Sequence, residues 1–409
     1  MPAPEVCVMD QRWWTAVIGL VVLAAVGCGG GDGAPGVTYE GPDQPGPYDV
    51  GVAQVEIDDG QGDGRILPIV LWYPASPPGD AAPFEYVLGL EALEIVRLES
   101  PMGAVEDAPI DGRGPFPVVL FSHGNGGINA QSFFMTEWLA SHGFIVAAPD
   151  HVGNTIIDEA TGQGIPTEEA ALLRPTDISR TLDAVLRESD DPGSVLAGGA
   201  DPLRVGVAGH SFGGFTSFRV AGATIDQEAL EALCMEEDNL LCGDLGEVTF
   251  PVSQRDERVI AALPQAPGGA AAMLPGMGFA DVAVPTMIQA GNADMTTPYE
   301  EESVAPFDQL EGDASLWVLD EAGHFTFSDM CRMVEAIDPE TFDLIGEDLS
   351  GVLEDGCGEE NIPWPEAQAL INAYATDFFH FYVSLEPGFG DRLVEGVEHP
   401  AEVVELETK

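Results

Sequence analysis

Lysine is almost missing from this sequence. Lys409 is the only one in 409 residues, and lysine and arginine together number 14 against 70 aspartates and glutamates, a formal charge of −56 at pH 7. That deficit excludes nucleic acid or an anionic bilayer as an electrostatically attracted partner, because binding either would bring like charge together. The acidity reads instead as a solvated surface. Long apolar runs are scarce as well. The one candidate, Trp13 to Gly27, has about 15 residues, short of the roughly 20 that a spanning helix needs. Metal-binding patterns are also missing. Cys234, Cys242, Cys331 and Cys357 lack zinc-site spacing with nearby histidines, and Asp58-Asp59-Gly60-Gln61-Gly62-Asp63 lacks the ligand series and closing glutamate of a calcium loop. An apolar fraction of 45% argues against disorder throughout.

What the N-terminus does contain points to export. The run Trp13 to Gly27 has the length of a signal-peptide core, and small residues lead into Cys28. "LAAVGCGGG" resembles a bacterial lipoprotein signal. The resemblance implies removal of residues 1–27, lipidation of Cys28 and a membrane anchor through that lipid. Glycine after Cys28 leans toward the outer membrane or cell surface. Residues 28–48, rich in Gly and Pro, read as a flexible tether. Four further cysteines, an even number, fit an oxidising compartment and permit three pairings. Sequence proximity favours Cys234 with Cys242 and Cys331 with Cys357.

From Asp49 to residue 385 the pattern is that of one α/β domain, followed by an acidic tail over 386–409. Val52 to Ile57 and Ile66 to Tyr73 read as an antiparallel pair at a sheet edge. Residues 84–98, rich in Leu, Glu and Val, read as a helix in an insertion spanning 84–112. Strands then alternate with helices: Pro117 to Ser122, helix Gln131 to His142, Phe144 to Ala148, helix Asp177 to Arg187, Leu203 to Ala208, helix Ser211 to Ala221. Val259 to Leu263, Pro285 to Ala290 and Ser315 to Leu319 add strands, and Glu366 to Tyr382 a closing helix. Repeated strand-helix units predict a mostly parallel sheet with helices on both faces. Acidic insertions over 222–257 and 325–365, each with one expected disulfide, are predicted to rim the site.

Between a predicted strand and a predicted helix stands Gly209-His210-Ser211-Phe212-Gly213. A G-x-S-x-G in that place fits a nucleophile elbow, where a strained turn lifts the serine clear and glycines allow close backbone approach. A serine needs a base and an acid to orient that base. Of seven histidines, His142 and His380 lie in predicted helices, His399 lies in the tail, and His210 is inside the elbow. His324 in "WVLDEAGHF" follows the last predicted strand and is the expected base. Asp294 in "VPTMIQAGNADMTTP" precedes it after a strand end and is the expected acid, ahead of Asp320, which lies too near His324, and Asp150, which breaks the order Ser, Asp, His. Phe212 N–H is one expected oxyanion donor. The loop "SHGNGG" offers the other, Asn125 N–H with Gly124 as the alternative, and His123 is expected to brace that loop.

With these residues in place, "LFSHGNGG", "APDHVGNT" and "GHSFGGFTSF" resemble the α/β-hydrolase superfamily. Within it they resemble the platelet-activating-factor acetylhydrolase and predicted dienelactone-hydrolase-like group, with chlorophyllases and polyester-degrading cutinases more distant. The resemblance implies hydrolysis of short-acyl or lipid carboxylic esters through an acyl-enzyme, without metal or organic cofactor. True dienelactone hydrolases use a cysteine nucleophile, so that activity does not carry over to Ser211. Asp150-His151 matches a motif of the group and reads as a structural turn. The rivals are amide or peptide hydrolysis by the same three residues, or a surface lipoprotein that uses the fold for binding only.

Overall fold

A computed structural model of the chain describes residues 41–58, 64–90, 93–236, 248–269, 276–337, 350–394 and 399–409. Cys28 and Cys242 lie outside the described residues, and with them the expected lipidation and the Cys234–Cys242 pairing.

Fourteen strands are described: β1 (Asp49–Asp58), β2 (Ile66–Ala75), β3 (Glu85–Leu90), β4 (Leu93–Glu99), β5 (Val105–Glu106), β6 (Phe116–Ser122), β7 (Ile145–Pro149), β8 (Ala200–His210), β9 (Thr224–Ile225), β10 (Val259–Gln265), β11 (Met277–Gly278), β12 (Thr286–Gly291), β13 (Ala314–Leu319) and β14 (Val403–Thr408). Ten form one sheet in the order β14-β13-β12-β10-β8-β6-β7-β2-β1-β5. Its centre, β13 through β7, is parallel. β1 and β2 pair antiparallel, as the sequence predicts, and β2 joins β7, also antiparallel.

Central strands are apolar on both sides because both faces are covered. All seven residues of β6 are buried. Val118 and Leu120 face one core with Ile178 and Leu182 of α3 (Thr167–Asp190) and Phe215 and Phe218 of α4 (Phe212–Ala221). Val119 and Phe121 face the other, with Phe133 and Leu139 of the helix Phe133–Ser141 and Ile371, Tyr374 and Phe378 of the closing helix Trp364–Tyr382. Each fully buried large apolar side chain is worth roughly 1.5–3 kcal/mol, so these two layers hold the strand ends rigid. Among the described residues no helix is long and apolar enough to cross a membrane.

Three expectations are corrected. Residues 84–90 and 93–98 form no helix: β3 and β4 pair antiparallel, with Tyr86↔Leu98 and Leu88↔Val96 in register. Tyr86, Val96 and Leu98 are buried while Val87, Arg97 and Glu99 are exposed, a period of two that only a strand can bury on one side. Glu137 pins this hairpin's base by accepting from Tyr86 Oη at 2.6 Å, Ser100 Oγ at 2.7 Å and Met102 N at 2.9 Å. The tail after residue 385 is part of the domain, since β14 pairs antiparallel with β13 at the sheet's edge. The tether stops short of residue 48: Gly46 N donates to Ser141 Oγ at 3.0 Å and Tyr48 N to Ser141 O at 3.1 Å, so these residues are packed on the domain.

Candidate active site

The parallel strands end on one side of the sheet, and the expected site residues stand at those ends. At the end of β8, Ser211 has φ 58° and ψ −122°. This is a left-handed conformation costing of order 1–3 kcal/mol in a non-glycine residue. The turn closes only because its neighbours lack side chains: a Cβ on Gly209 would stand 2.3 Å from Gly213 O, and one on Gly213 would stand 1.8 Å from Ser122 O. Ser211 N donates to Gln265 O at 3.0 Å, which ties the turn to the end of β10.

The loop after β13 brings His324 over the serine. Ser211 Oγ lies 2.9 Å from His324 Nε2, and His324 Nδ1 lies 2.9 Å from Asp294 Oδ2, in the loop after β12. All three residues are less than 10% exposed. Thr297 completes the acid's surroundings, its N donating to Asp294 Oδ1 at 2.7 Å and its Oγ1 to Asp294 Oδ2 at 2.8 Å. The same hydroxyl is 3.0 Å from His324 Nδ1. A carboxylate that accepts from the imidazole Nδ1–H leaves Nε2 as the acceptor facing the serine hydroxyl.

Beside it runs the loop after β6. Gly124 N donates to Gln131 Oε1 at 2.8 Å, so that N–H is taken. Among the described residues no hydrogen bond uses the N–H of Asn125 or of Phe212, the first residue of α4. Gly124 itself backs onto Ser211, with a Cβ there meeting Ser211 Cβ at 3.3 Å. Asn125 is held through its side chain: its Oδ1 accepts from Asn154 Nδ2 at 2.8 Å, and Asn154 Oδ1 accepts from Arg174 Nη1 at 2.5 Å. Arg174, fully buried, also donates to His123 O. Burial pulls Arg174 down to about 9, which leaves it a cation at neutral pH.

Three further histidines brace the site. His210 Nδ1 accepts from Gln131 Nε2 at 2.7 Å, so its Nε2–H donates to His324 O at 3.0 Å. His123 donates from Nδ1 to Gly124 O at 2.7 Å and accepts at Nε2 from His151 N at 3.0 Å. His151 lies between Ser122 Oγ at 2.9 Å and Asp177 Oδ2 at 2.8 Å, and Arg65 pairs with Asp177 through two bonds of 2.6 and 2.9 Å. Burial, then the Arg174 and Arg65 cations, pushes His151 well below the ordinary histidine range. Asp150 accepts from Asn129 N at 2.7 Å and is pushed by burial to about 6. Asp320 accepts from Asn292 Nδ2 at 2.8 Å on the exposed side of its loop.

Cys331 and Cys357 form a disulfide with a sequence separation of 26. Sequence reasoning gave no role to Gln131, Asn154, Arg174, Thr297 or Asp355, which fix the loops; of these only Asn154 stands in one of the quoted motifs. Among the described residues no group of three or more His, Cys, Asp or Glu is placed to hold a metal ion.

Two family models match parts of the chain: platelet-activating factor acetylhydrolase, isoform II, over residues 38–163, and chlorophyllase over residues 101–235. No curated protein sequence gives a significant match. Among solved structures, a ferulic acid esterase from Streptomyces cinnamoneus aligns with a TM-score of 0.60 and 21% identity, covering 88% of this chain and 96% of its own. The strand order, the elbow at the end of β8 and these matches place the chain in the α/β-hydrolase superfamily.

Proposed function

We propose that this protein is a serine carboxylester hydrolase, with Ser211 as nucleophile, His324 as general base and Asp294 as the orienting acid. The observation that carries the reading is the continuous chain Ser211 Oγ, His324 Nε2, His324 Nδ1, Asp294 Oδ2, each link 2.9 Å, on a strained elbow. His324 takes the proton as the hydroxyl attacks the ester carbonyl, and the N–H groups of Asn125 and Phe212 receive the charge on the carbonyl oxygen. Each such donor is worth about 2.7–4 kcal/mol. His324 then gives the proton to the leaving alcohol, and water releases the acyl group by the same path.

The substrates are short-acyl or lipid esters. One matching family model is named for an acetylhydrolase, and the structural neighbour, a ferulic acid esterase, is named for ester cleavage. A formal charge of −56 disfavours acidic esters, which leaves neutral or zwitterionic ones. Lipidation of Cys28 would hold the enzyme at the outer membrane or cell surface.

The test is hydrolysis of p-nitrophenyl esters from acetyl to palmitoyl by the full-length protein, with Ser211→Ala in parallel. Activity that peaks at two to four carbons and vanishes in the variant supports the reading. A folded wild-type protein with no activity at any chain length would overturn it.

A further inference from the structure

The insertion over 325–365 reaches back to the site through the side chain of Asp355. Asp355 is 3% exposed. Its Oδ1 accepts from His324 N at 2.9 Å and Met295 N at 3.0 Å. Its Oδ2 accepts from Thr296 N at 2.9 Å and Thr296 Oγ1 at 2.7 Å. All four donors belong to the two loops that carry the base and the acid: His324 itself, and the two residues that follow Asp294. A carboxylate with two donors on each oxygen is fully satisfied, and its charge strengthens every bond.

The segment that carries Asp355 is fastened on both sides. Gly356 has φ 134°, and a Cβ there would stand 2.7 Å from Thr326 N, so its backbone lies directly against the His324 turn. Cys357 is bonded to Cys331, in the helix Met330–Ala336 that follows that turn. Asn361 Oδ1 accepts from Gly356 N at 3.2 Å and Gly358 N at 3.1 Å, while Asn361 Nδ2 donates to Glu321 O at 3.3 Å. The opposite side of His324 is held by His210, through the His324 carbonyl.

We propose that Asp355 is a positioning residue for the reaction: its carboxylate, held by the Cys331–Cys357 strap, clamps the acid loop to the base loop and so sets the Asp294–His324 contact. The proposal rests on the esterase reading above for its kinetic consequence but not for its geometry. An isosteric amide cannot fully replace the carboxylate: at the Oδ1 position its NH2 would face the N–H groups of His324 and Met295, and at the Oδ2 position it would face Thr296 N–H even with the Thr296 hydroxyl turned to accept. The loops would separate, and a displacement of about 1 Å at the chemistry can cost ~100-fold in rate. Asp355 is buried with all four acceptor positions taken, so KM should hardly move.

The experiment compares the full-length wild type, Asp355→Asn, Cys331→Ala/Cys357→Ala and the combined variant. The readouts are p-nitrophenyl ester kinetics, thermal unfolding and the low-field proton resonance of His324 Nδ1–H. Expected for Asp355→Asn are kcat lower by ~10–100-fold with KM within about threefold, and a lost or shifted low-field proton. Loss in the combined variant should be less than the product of the two, since both act through one strap. A lower melting temperature with kcat and the low-field proton unchanged would show a structural role alone and overturn the proposal. If Asp355→Asn does not fold, Thr296→Val removes one donor and keeps the carboxylate; kcat unchanged in that variant overturns the proposal equally. A wild type without esterase activity removes the functional reading, while the proton resonance still decides the clamp.

Discussion

Changing Asp294 to asparagine probes the proposed proton path with the smallest alteration in shape. Thr297 N–H points at Oδ1 from 2.7 Å, so the amide must place its oxygen there to accept it. Its NH2 then takes the Oδ2 position, 2.9 Å from His324 Nδ1. Thr297 Oγ1 can turn its hydrogen to Ala266 O at 3.1 Å and accept from the amide, so nothing opposes this orientation. A donor facing Nδ1 forces the proton onto Nε2. The imidazole then presents N–H to Ser211 Oγ and has no lone pair with which to take the hydroxyl proton. A wrong tautomer of this kind costs roughly 10⁴ in kcat, or about 5.4 kcal/mol at 1.36 kcal/mol per tenfold. KM should stay within about threefold and the fold should be intact, because the replacement fills the same volume with satisfied hydrogen bonds. The assay is steady-state hydrolysis of the best p-nitrophenyl ester alongside circular dichroism. A fall of less than tenfold in a folded variant would refute the role given to Asp294 and turn attention to Thr297, the other group beside Nδ1.

Three further outcomes follow from particular contacts. Gly213→Ala sets a Cβ 1.8 Å from Ser122 O, so soluble yield or kcat should collapse; a folded variant with normal kcat would contradict the elbow packing. Removing the Cys331–Cys357 bond, which closes a loop with a sequence separation of 26, should cost about 3.5 kcal/mol in urea unfolding, and a loss under 1 kcal/mol would speak against it. Burial, with nearby His380 adding, drives His142 down to about 3, against ~6.5 in an unfolded chain. The folded state then binds fewer protons below pH 6.5, so this stability is present above that pH and is lost as pH falls toward 3. Between pH 6.5 and 5 the loss is about 2 kcal/mol, and His142→Asn should remove it. An unchanged pH slope in urea titrations would show that His142 is not held neutral by the fold.

The residues at the strand ends were legible because their signals are local. Apolar runs mark the strands, and Gly209 to Gly213 has to be glycine-flanked wherever a serine is lifted on such a turn. The order of Ser211, Asp294 and His324 then narrowed the choices. The hairpin over 84–99 was misread because Leu, Glu and Val suit a helix by composition, while the decisive alternation of Tyr86 and Val87 depends on the surface of the helix Phe133–Ser141 beneath, where Glu137 waits. β14 was hidden in the same way, its glutamates read as a tail although Val403 is buried against the sheet. Asp355 had no local mark. One acid among 70 acquires a role only when folding brings it to two loops, 31 and 60 residues away from it along the chain.

Ser122, His151 and Asp177 are joined by the same atoms and in the same order as Ser211, His324 and Asp294, with contacts of 2.9 and 2.8 Å. Their surroundings are opposite. Ser122 and His151 have no solvent exposure, and an imidazolium at His151 would meet the cations of Arg174 and Arg65, whereas carboxylates flank His324. One chain thus contains its own control for what bonding pattern alone can achieve. A fluorophosphonate should mark Ser211 and pass over Ser122, and a search of structures for serine–histidine–aspartate geometry would return both. Under the proposed function, what separates the reactive array from a rivet is the sign of the neighbouring charge and a path for the reagent.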